Sequence, residues 1–312
     1  MVRIGVDVGG TGIQVGVVNE EWKIIGKGAI PTRTDLSFEE QVRQIAECIQ
    51  EAIASAGLST DDVTSVGIGI PGIAAPSGEI IKCTNLGWHH VPFREIFTRY
   101  LDKPVLIDND ANVAALAESV IGISAGSSSS VFITLGTGIG SGIVINGKIW
   151  SGFHGIGGEL GHTILRMDGI PCTCGNRGCL ERYCSATAII RMAREAVKEQ
   201  PYSEILNKAQ GDPEKINAKI VIDAAKEHDP TAEHIFHTYA SSLAQAIANV
   251  INFLDPEVIV LGGGVSKAGD FLLDAVRREY PQHVIFRDQP MARLELAVLG
   301  PEAGIIGAAM LS

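Results

Sequence analysis

Aromatic side chains are scarce in this sequence, 5% of residues against 46% hydrophobic overall, so its cores must be built from Val, Ile, Ala and Gly, the palette of α/β proteins. No uninterrupted apolar stretch approaches the roughly 20 residues that a membrane span requires. The opening residues, Met1 to Val8, read as a strand, with no basic segment leading into an apolar one, and argue against a secretory leader. Basic charge is also in deficit. A net charge of −11 offers no general attraction for nucleic acid, whose binding rests on phosphate neutralisation. Neither Gly9-Gly10-Thr11-Gly12 nor Gly136-Thr137-Gly138 fits GxxxxGK[ST] or GxGxxG, so Walker and Rossmann readings of these glycine loops fail. There are six cysteines, and Cys172, Cys174, Cys179 and Cys184 fall together, a spacing that suits a metal site better than a disulfide framework. Cys48 and Cys83 read as buried bystanders. These exclusions leave a cytoplasmic α/β protein, and 312 residues favour two domains.

Val2 to Val18 alternates strand formers around Gly9-Gly10-Thr11-Gly12, which predicts a hairpin with a tight glycine turn. Val42, Ile45, Ala46, Ile49 and Ile53 recur at helical spacing between Phe38 and Ala56, with Gly57 as the stop. Val63 to Ile70 reads as a buried strand ending at Pro71-Gly72. Val105 to Ile107 is a second strand, running into Asp108-Asn109-Asp110 and a helix through Val120. Such strand ends are where α/β proteins hold ligands. Ile123 to Ser130, rich in Ser and Gly, is the candidate hinge. The chain is therefore divided into an N-terminal α/β domain over 1–122 and a larger C-terminal one over 123–298. A small-residue helix at about 299–312 is expected to pack back on the first. Helices are read at Ala186 to Glu199 and Ala232 to Phe253, before a strand Val258 to Leu261 that closes on Gly262-Gly263-Gly264.

A shift of 126 positions superimposes Gly10-Thr11-Gly12, Gly16, Val17 and Val18 on Gly136-Thr137-Gly138, Gly142, Ile143 and Val144. Turns of Gly and Thr can aim backbone N–H groups and a hydroxyl at phosphate, because glycine leaves no side chain in the way. Two of them could clamp one polyphosphate, with Asp7 before the first placed to hold Mg²⁺. The plainer alternative is a pair of ordinary hairpins. Phosphoryl transfer to an alcohol needs a carboxylate to take the hydroxyl proton, and Asp110 fits that role; a helix N-cap is its other reading. Asn109 and Asn85 carry amides suited to vicinal hydroxyls.

Glu159, His162, Cys172, Cys174, Cys179 and Glu181 lie among many glycines. Three thiolates and an imidazole would close a tetrahedral structural zinc site; Cys184 could replace His162 in a four-cysteine set. The metal would brace Glu159, Glu181 and the second nitrogen of His162 as a rim for a polyol, unless those acids are surface charge.

Together these motifs resemble the ROK family of sugar kinases and sugar-responsive repressors, over nearly the whole chain. The segments that carry the likeness are Asp7 to Thr11, Gly69 to Gly72, Asp108 to Glu118, Leu135 to Gly140, Gly158 to His162, the Cys172 to Glu181 run and Leu261 to Gly264. The resemblance implies two RNase H-like domains of the actin-like ATPase fold, an interdomain active-site cleft for sugar and MgATP, and often a homodimer. It makes Asp110 the general base. Gly72, Asn85, Asn109, Glu159, His162 and Glu181 would hold the hexose, with His162 also a zinc ligand. Asp7, Gly9, Gly10, Thr11, Thr137 and Gly138 would bind phosphates, and Gly262, Gly263 and Gly264 would flank the adenosine. Asn85-Leu86-Gly87-Trp88 looks most like the glucokinase branch. An N-acylhexosamine kinase acting on N-acetylmannosamine or N-acetylglucosamine, or a fructokinase, would use the same groups. A repressor would carry a helix-turn-helix before the first loop, whereas the loop strand here begins at Val2.

Overall fold

The computed structural model describes residues 1–311. The expected hairpin is β1 (Val2–Val8) with β2 (Gly12–Val18), extended by β3 (Ile24–Pro31). Next come α1 (Phe38–Ser55), β4 (Val63–Ile70) and a small meander of β5 (Ile73–Ala74), β6 (Ile80–Cys83) and β7 (Trp88–Val91). Then follow α2 (Phe93–Phe97), β8 (Val105–Asn109), α3 (Asp110–Val120), β9 (Ser129–Leu135), β10 (Ile139–Ile145) and β11 (Lys148–Ile149). The helices α4 (Glu181–Cys184), α5 (Ala186–Glu199), α6 (Glu204–Lys208), α7 (Ala218–Lys226) and α8 (Pro230–Leu254) lead to β12 (Val258–Gly262). The chain closes with α9 (Asp270–Glu279), β13 (Arg293–Leu296) and α10 (Ala303–Ala309). Among these residues no helix is long and apolar enough to cross a membrane. The expected C-terminal helix ran to 312, and Ser312 lies outside the described residues.

Two compact units emerge: residues 1–128, 142–158 and the stretch from Val298 form one, and residues 129–141 and 159–297 the other. The first unit carries a sheet ordered β3-β2-β1-β4-β8, with β1, β4 and β8 parallel. β4 is buried almost throughout, as a strand covered on both faces must be. On one side lies α1, capped by the Ser37 hydroxyl, with Val42, Ile45, Ile49 and Ile53 in the core beside a Phe38, Trp88, Phe93 and Phe97 aromatic cluster. On the other lies α10, seated backbone to backbone. Gly5 and Gly67 have no room for a Cβ because the carbonyls of Ile305 and Ala308 rest on them, and Gly307 meets the Val113 backbone of α3 in the same way.

The second unit carries β9, β12 and β13 in parallel, Gly262 standing opposite Thr134. The five-stranded sheet to which they belong, ordered β11-β10-β9-β12-β13, repeats the order of the first sheet with β9 in the place of β1 and β12 in the place of β4. The 126-residue sequence shift is thus matched by topology. Against an expected boundary at 122/123, the change of unit falls after Ser128, and residues 142–158 join the first unit. The reason is local packing: a Cβ on Gly142 would lie 2.6 Å from the Ala111 carbonyl and 2.7 Å from the Ala115 Cβ, so from that point the chain lies against α3.

Candidate active site and metal centre

In the first unit three parallel strands end side by side. Asp7 pairs with Gly69 and Gly69 with Asp108, while Ile70 pairs with Asn109, so two acids and the Asn109-Asp110 step line one carboxyl-terminal edge. The first glycine turn leaves the same edge. Gly9 N–H donates to the Gly12 carbonyl at 2.9 Å, and the Thr32 hydroxyl donates to the Gly9 carbonyl at 2.6 Å. Thr32 directly follows β3, a strand that propensity did not reveal. Burial pushes the Asp7 carboxyl above its usual range, and α10 closes over it, a Cβ on Gly304 lying 2.8 Å from Asp7 Oδ2.

The helix-cap reading of Asp110 is decided by its neighbour. Asn109 is the N-cap of α3, its Oδ1 accepting from the N–H groups of Ala111 (2.9 Å) and Asn112 (3.4 Å). Asp110 is therefore the first helical residue, with Oδ1 accepting from Ala111 N–H at 2.8 Å. Asn109 Nδ2 also donates to the Gly72 carbonyl at 3.3 Å, which brings those two predicted residues together. Asp108 is committed inward: Oδ1 accepts from Asn109 N–H (2.7 Å) and Asn112 Nδ2 (2.8 Å), and burial outweighs these bonds in pushing its carboxyl up. The Asn85 amide lies near the first glycine turn, 3.9 Å from where a Cβ on Gly10 would stand. Cys83, read as a bystander, is buried near Asp110; burial, with Asp110's charge adding to it, pushes the thiol up to about 11.

In the second unit, Gly136 N–H donates to the Gly138 carbonyl at 3.0 Å, so this turn closes one residue sooner than the first. Gly263 (φ +84°) lies on the Leu135 backbone, which a Cβ would approach to 2.7 Å, and Gly264 has open space around it. The second and third glycine turns therefore meet at the ends of the paired strands β9 and β12. Glu181 heads α4 and its Oε2 accepts from Ile139 N–H at 3.0 Å, directly behind the Thr137-Gly138 turn. Glu159 is exposed and precedes the short turn Leu160–His162, where His162 N–H donates to its carbonyl at 3.1 Å.

The ligand atoms of His162, Cys172, Cys174 and Cys179 all lie within 4.8 Å of one another. Cys174 Sγ is 3.6 Å from Cys179 Sγ, and Cys172 Sγ is 3.8 Å from His162 Nδ1. A tetrahedron with metal–sulfur bonds of about 2.3 Å has edges of about 3.8 Å, so the quartet fits a closed zinc-type site. The loop is held by a turn in which Cys172 N–H donates to the Asn176 carbonyl at 2.8 Å and Gly175 N–H to the Cys172 carbonyl at 3.1 Å. Gly178 is required twice over: φ is +78° and the Arg166 carbonyl occupies the space of a Cβ. Cys184 stands outside the quartet, fully buried, its thiol pushed up by desolvation. The predicted residues thus form two groups. Asp7, Gly9, Gly10, Thr11, Gly72, Asn85, Asn109 and Asp110 gather in the first unit; Thr137, Gly138, Glu159, His162, the three cysteines, Glu181 and Gly262 to Gly264 belong to the second.

Comparison with known proteins gives a consistent set. A sequence model described as the ROK family matches residues 3–312. A glucokinase of Halalkalibacterium halodurans is 39% identical over 309 residues, 97% of this chain and 92% of that protein. An N-acetyl-D-glucosamine kinase of Haemophilus influenzae is 31% identical, covering 98% of each. The crystal structure of a ROK family glucokinase from Streptomyces griseus, in complex with glucose and AMPPNP, superimposes with a TM-score of 0.85 at 34% identity, over 100% of this chain and 99% of that one.

Proposed function

Because the chain belongs to the ROK family, we propose that it transfers the γ-phosphoryl group of ATP to a hexose, with glucose as the substrate and glucose 6-phosphate as the product. The observation that carries the chemistry is the Asn109-Asp110 step: the amide caps the helix, and the acid stands at the edge where β1, β4 and β8 end. In this reading Asp110 takes the proton of the sugar hydroxyl as the oxygen attacks phosphorus, a role worth about 10²- to 10⁴-fold in rate. The glycine turns at Gly9 to Gly12 and Gly136 to Gly138 hold phosphate oxygens with backbone N–H groups, and Gly262 to Gly264 leave space for the nucleoside. Gly72, Asn85, Asn109, Glu159, His162 and Glu181 hold the hexose.

Asp7 would hold Mg²⁺, directly or through water; the ion would neutralise charge on the phosphates. Its raised carboxyl is what a buried acid awaiting a cation should show. His162, Cys172, Cys174 and Cys179 would hold zinc in a structural role, bracing the hexose rim. The two units correspond to its two RNase H-like domains, a reading supported by the matching orders of the two five-stranded sheets. The family likeness favours a cytosolic homodimer.

The test has two arms. ADP release with glucose, mannose, N-acetylmannosamine, N-acetylglucosamine and fructose identifies the sugar; a preference for N-acetylglucosamine, the substrate named for the Haemophilus relative, would replace glucose in this proposal. Asp110→Asn should keep hexose binding and lower kcat by two to four orders of magnitude, on the order expected for loss of a general base. Near-normal turnover would remove Asp110 as the base.

A further inference from the structure

The second phosphate turn is held from behind by one short stretch of chain. Glu181 Oε2 accepts from Ile139 N–H at 3.0 Å, Ala186 N–H donates to the Gly136 carbonyl at 2.8 Å, and the Thr187 hydroxyl donates to the Thr137 carbonyl at 2.7 Å. Gly138 has no room for a Cβ because the Glu181 carboxylate fills that space, and Gly161, next to His162, has none because the Ile139 carbonyl does. Glu181 follows Cys179 by two residues, and Leu180 between them donates its N–H to the Thr163 carbonyl at 2.8 Å. Metal quartet, hexose rim and phosphate turn are therefore joined by short, direct contacts within one unit. Of the three groups that grip the turn, only Glu181 also belongs to the hexose rim.

We propose that Glu181 is a positioning residue for the nucleotide as well as a hexose ligand. One carboxylate oxygen fixes the Gly136 to Ile139 turn through Ile139 N–H, while the other meets a sugar hydroxyl. Hexose and ATP are then coupled through a single side chain, and each raises the affinity of the other by the same factor. This rests on the kinase reading of the preceding subsection.

The test is binding of a non-hydrolysable ATP analogue with Mg²⁺ and without sugar, followed by titration calorimetry. Loss of a charge-assisted bond predicts about ten-fold weaker analogue binding for E181A. E181Q should bind near the wild-type value, because an amide oxygen can still accept from Ile139 N–H. Glu159→Ala, altered in the rim but away from the turn, should weaken glucose binding and leave the analogue unchanged. Zinc content and circular dichroism establish that each variant is folded. If E181A does not fold, E181M against E181Q makes the same comparison at nearly constant volume. Equal analogue affinity for wild type and E181A (or E181M) would overturn the proposal alone, as would an E181Q no better than E181A. A wild-type protein that fails to bind the analogue would instead overturn the kinase reading itself.

Discussion

Glu118 is fully buried, and its carboxylate ties together three backbone N–H groups that sequence separates widely. Oε1 accepts from Val298 and Leu299 at 3.0 and 2.9 Å, and Oε2 accepts from Ile123 at 3.0 Å. Val298 is where the chain returns to the first unit, and Ile123 lies just before it leaves at Ser128. Replacement by Gln keeps the shape and removes one acceptor. Either the amide oxygen stays on Val298 and Leu299 and the NH₂ faces Ile123 N–H, or the side chain flips and orphans two donors. The first choice costs less. One unsatisfied buried N–H costs roughly 1–3 kcal/mol, and two bonds lose their ionic partner, so E118Q should lose about 2–4 kcal/mol. No water can easily enter to relieve this, since Gly122 is packed against the same carboxylate. At about 2 °C per kcal/mol for a chain of this size, the first thermal transition should fall by roughly 4–8 °C. Calorimetry and urea unfolding read the change. A variant within about 0.5 kcal/mol of wild type would refute the argument that these three bonds are made at full strength.

Cys174→Ser should abolish stoichiometric zinc while Cys184→Ser retains it, as measured by elemental analysis of the purified proteins; zinc in the first or its loss in the second would break the assignment of the quartet. Asp7→Asn should make the protein without nucleotide more stable at pH 7, because burial raises this carboxyl. Its contribution is most favourable below the ordinary value near 3.8 and is lost as pH climbs through the raised one, so the gain of the variant should vanish in acid. The same change should abolish Mg²⁺-dependent turnover. Gly67→Ala should cost about 1–3 kcal/mol or more, since the new methyl meets the Ala308 backbone and α10 must shift, whereas Gly264→Ala, with open space around it, should leave thermal stability unchanged.

Much of the candidate site's local structure was legible because its signals are local. Glycine turns between alternating apolar residues specify hairpins, and β4 spans the stretch that buried periodicity assigned to it. A cysteine run with intervening glycines announces a metal loop before any partner is known. What stayed hidden were edge strands such as β3 and β13, whose half-buried residues give weak periodicity, and the membership of residues 142–158, which packing against α3 decides.

The sequence by itself determined where the glycine turns, the Asp110 acid and the thiolates would be, because each depends on the dihedral freedom or chemistry of residues a few positions apart. Only the tertiary structure gathered His162, and not Cys184, with the three cysteines, gave the helix cap to Asn109, and set Glu181 against a turn 42 residues away. Those choices turn on which groups of similar chemistry meet at hydrogen-bonding distance, and a chain fixes that distance only when it packs.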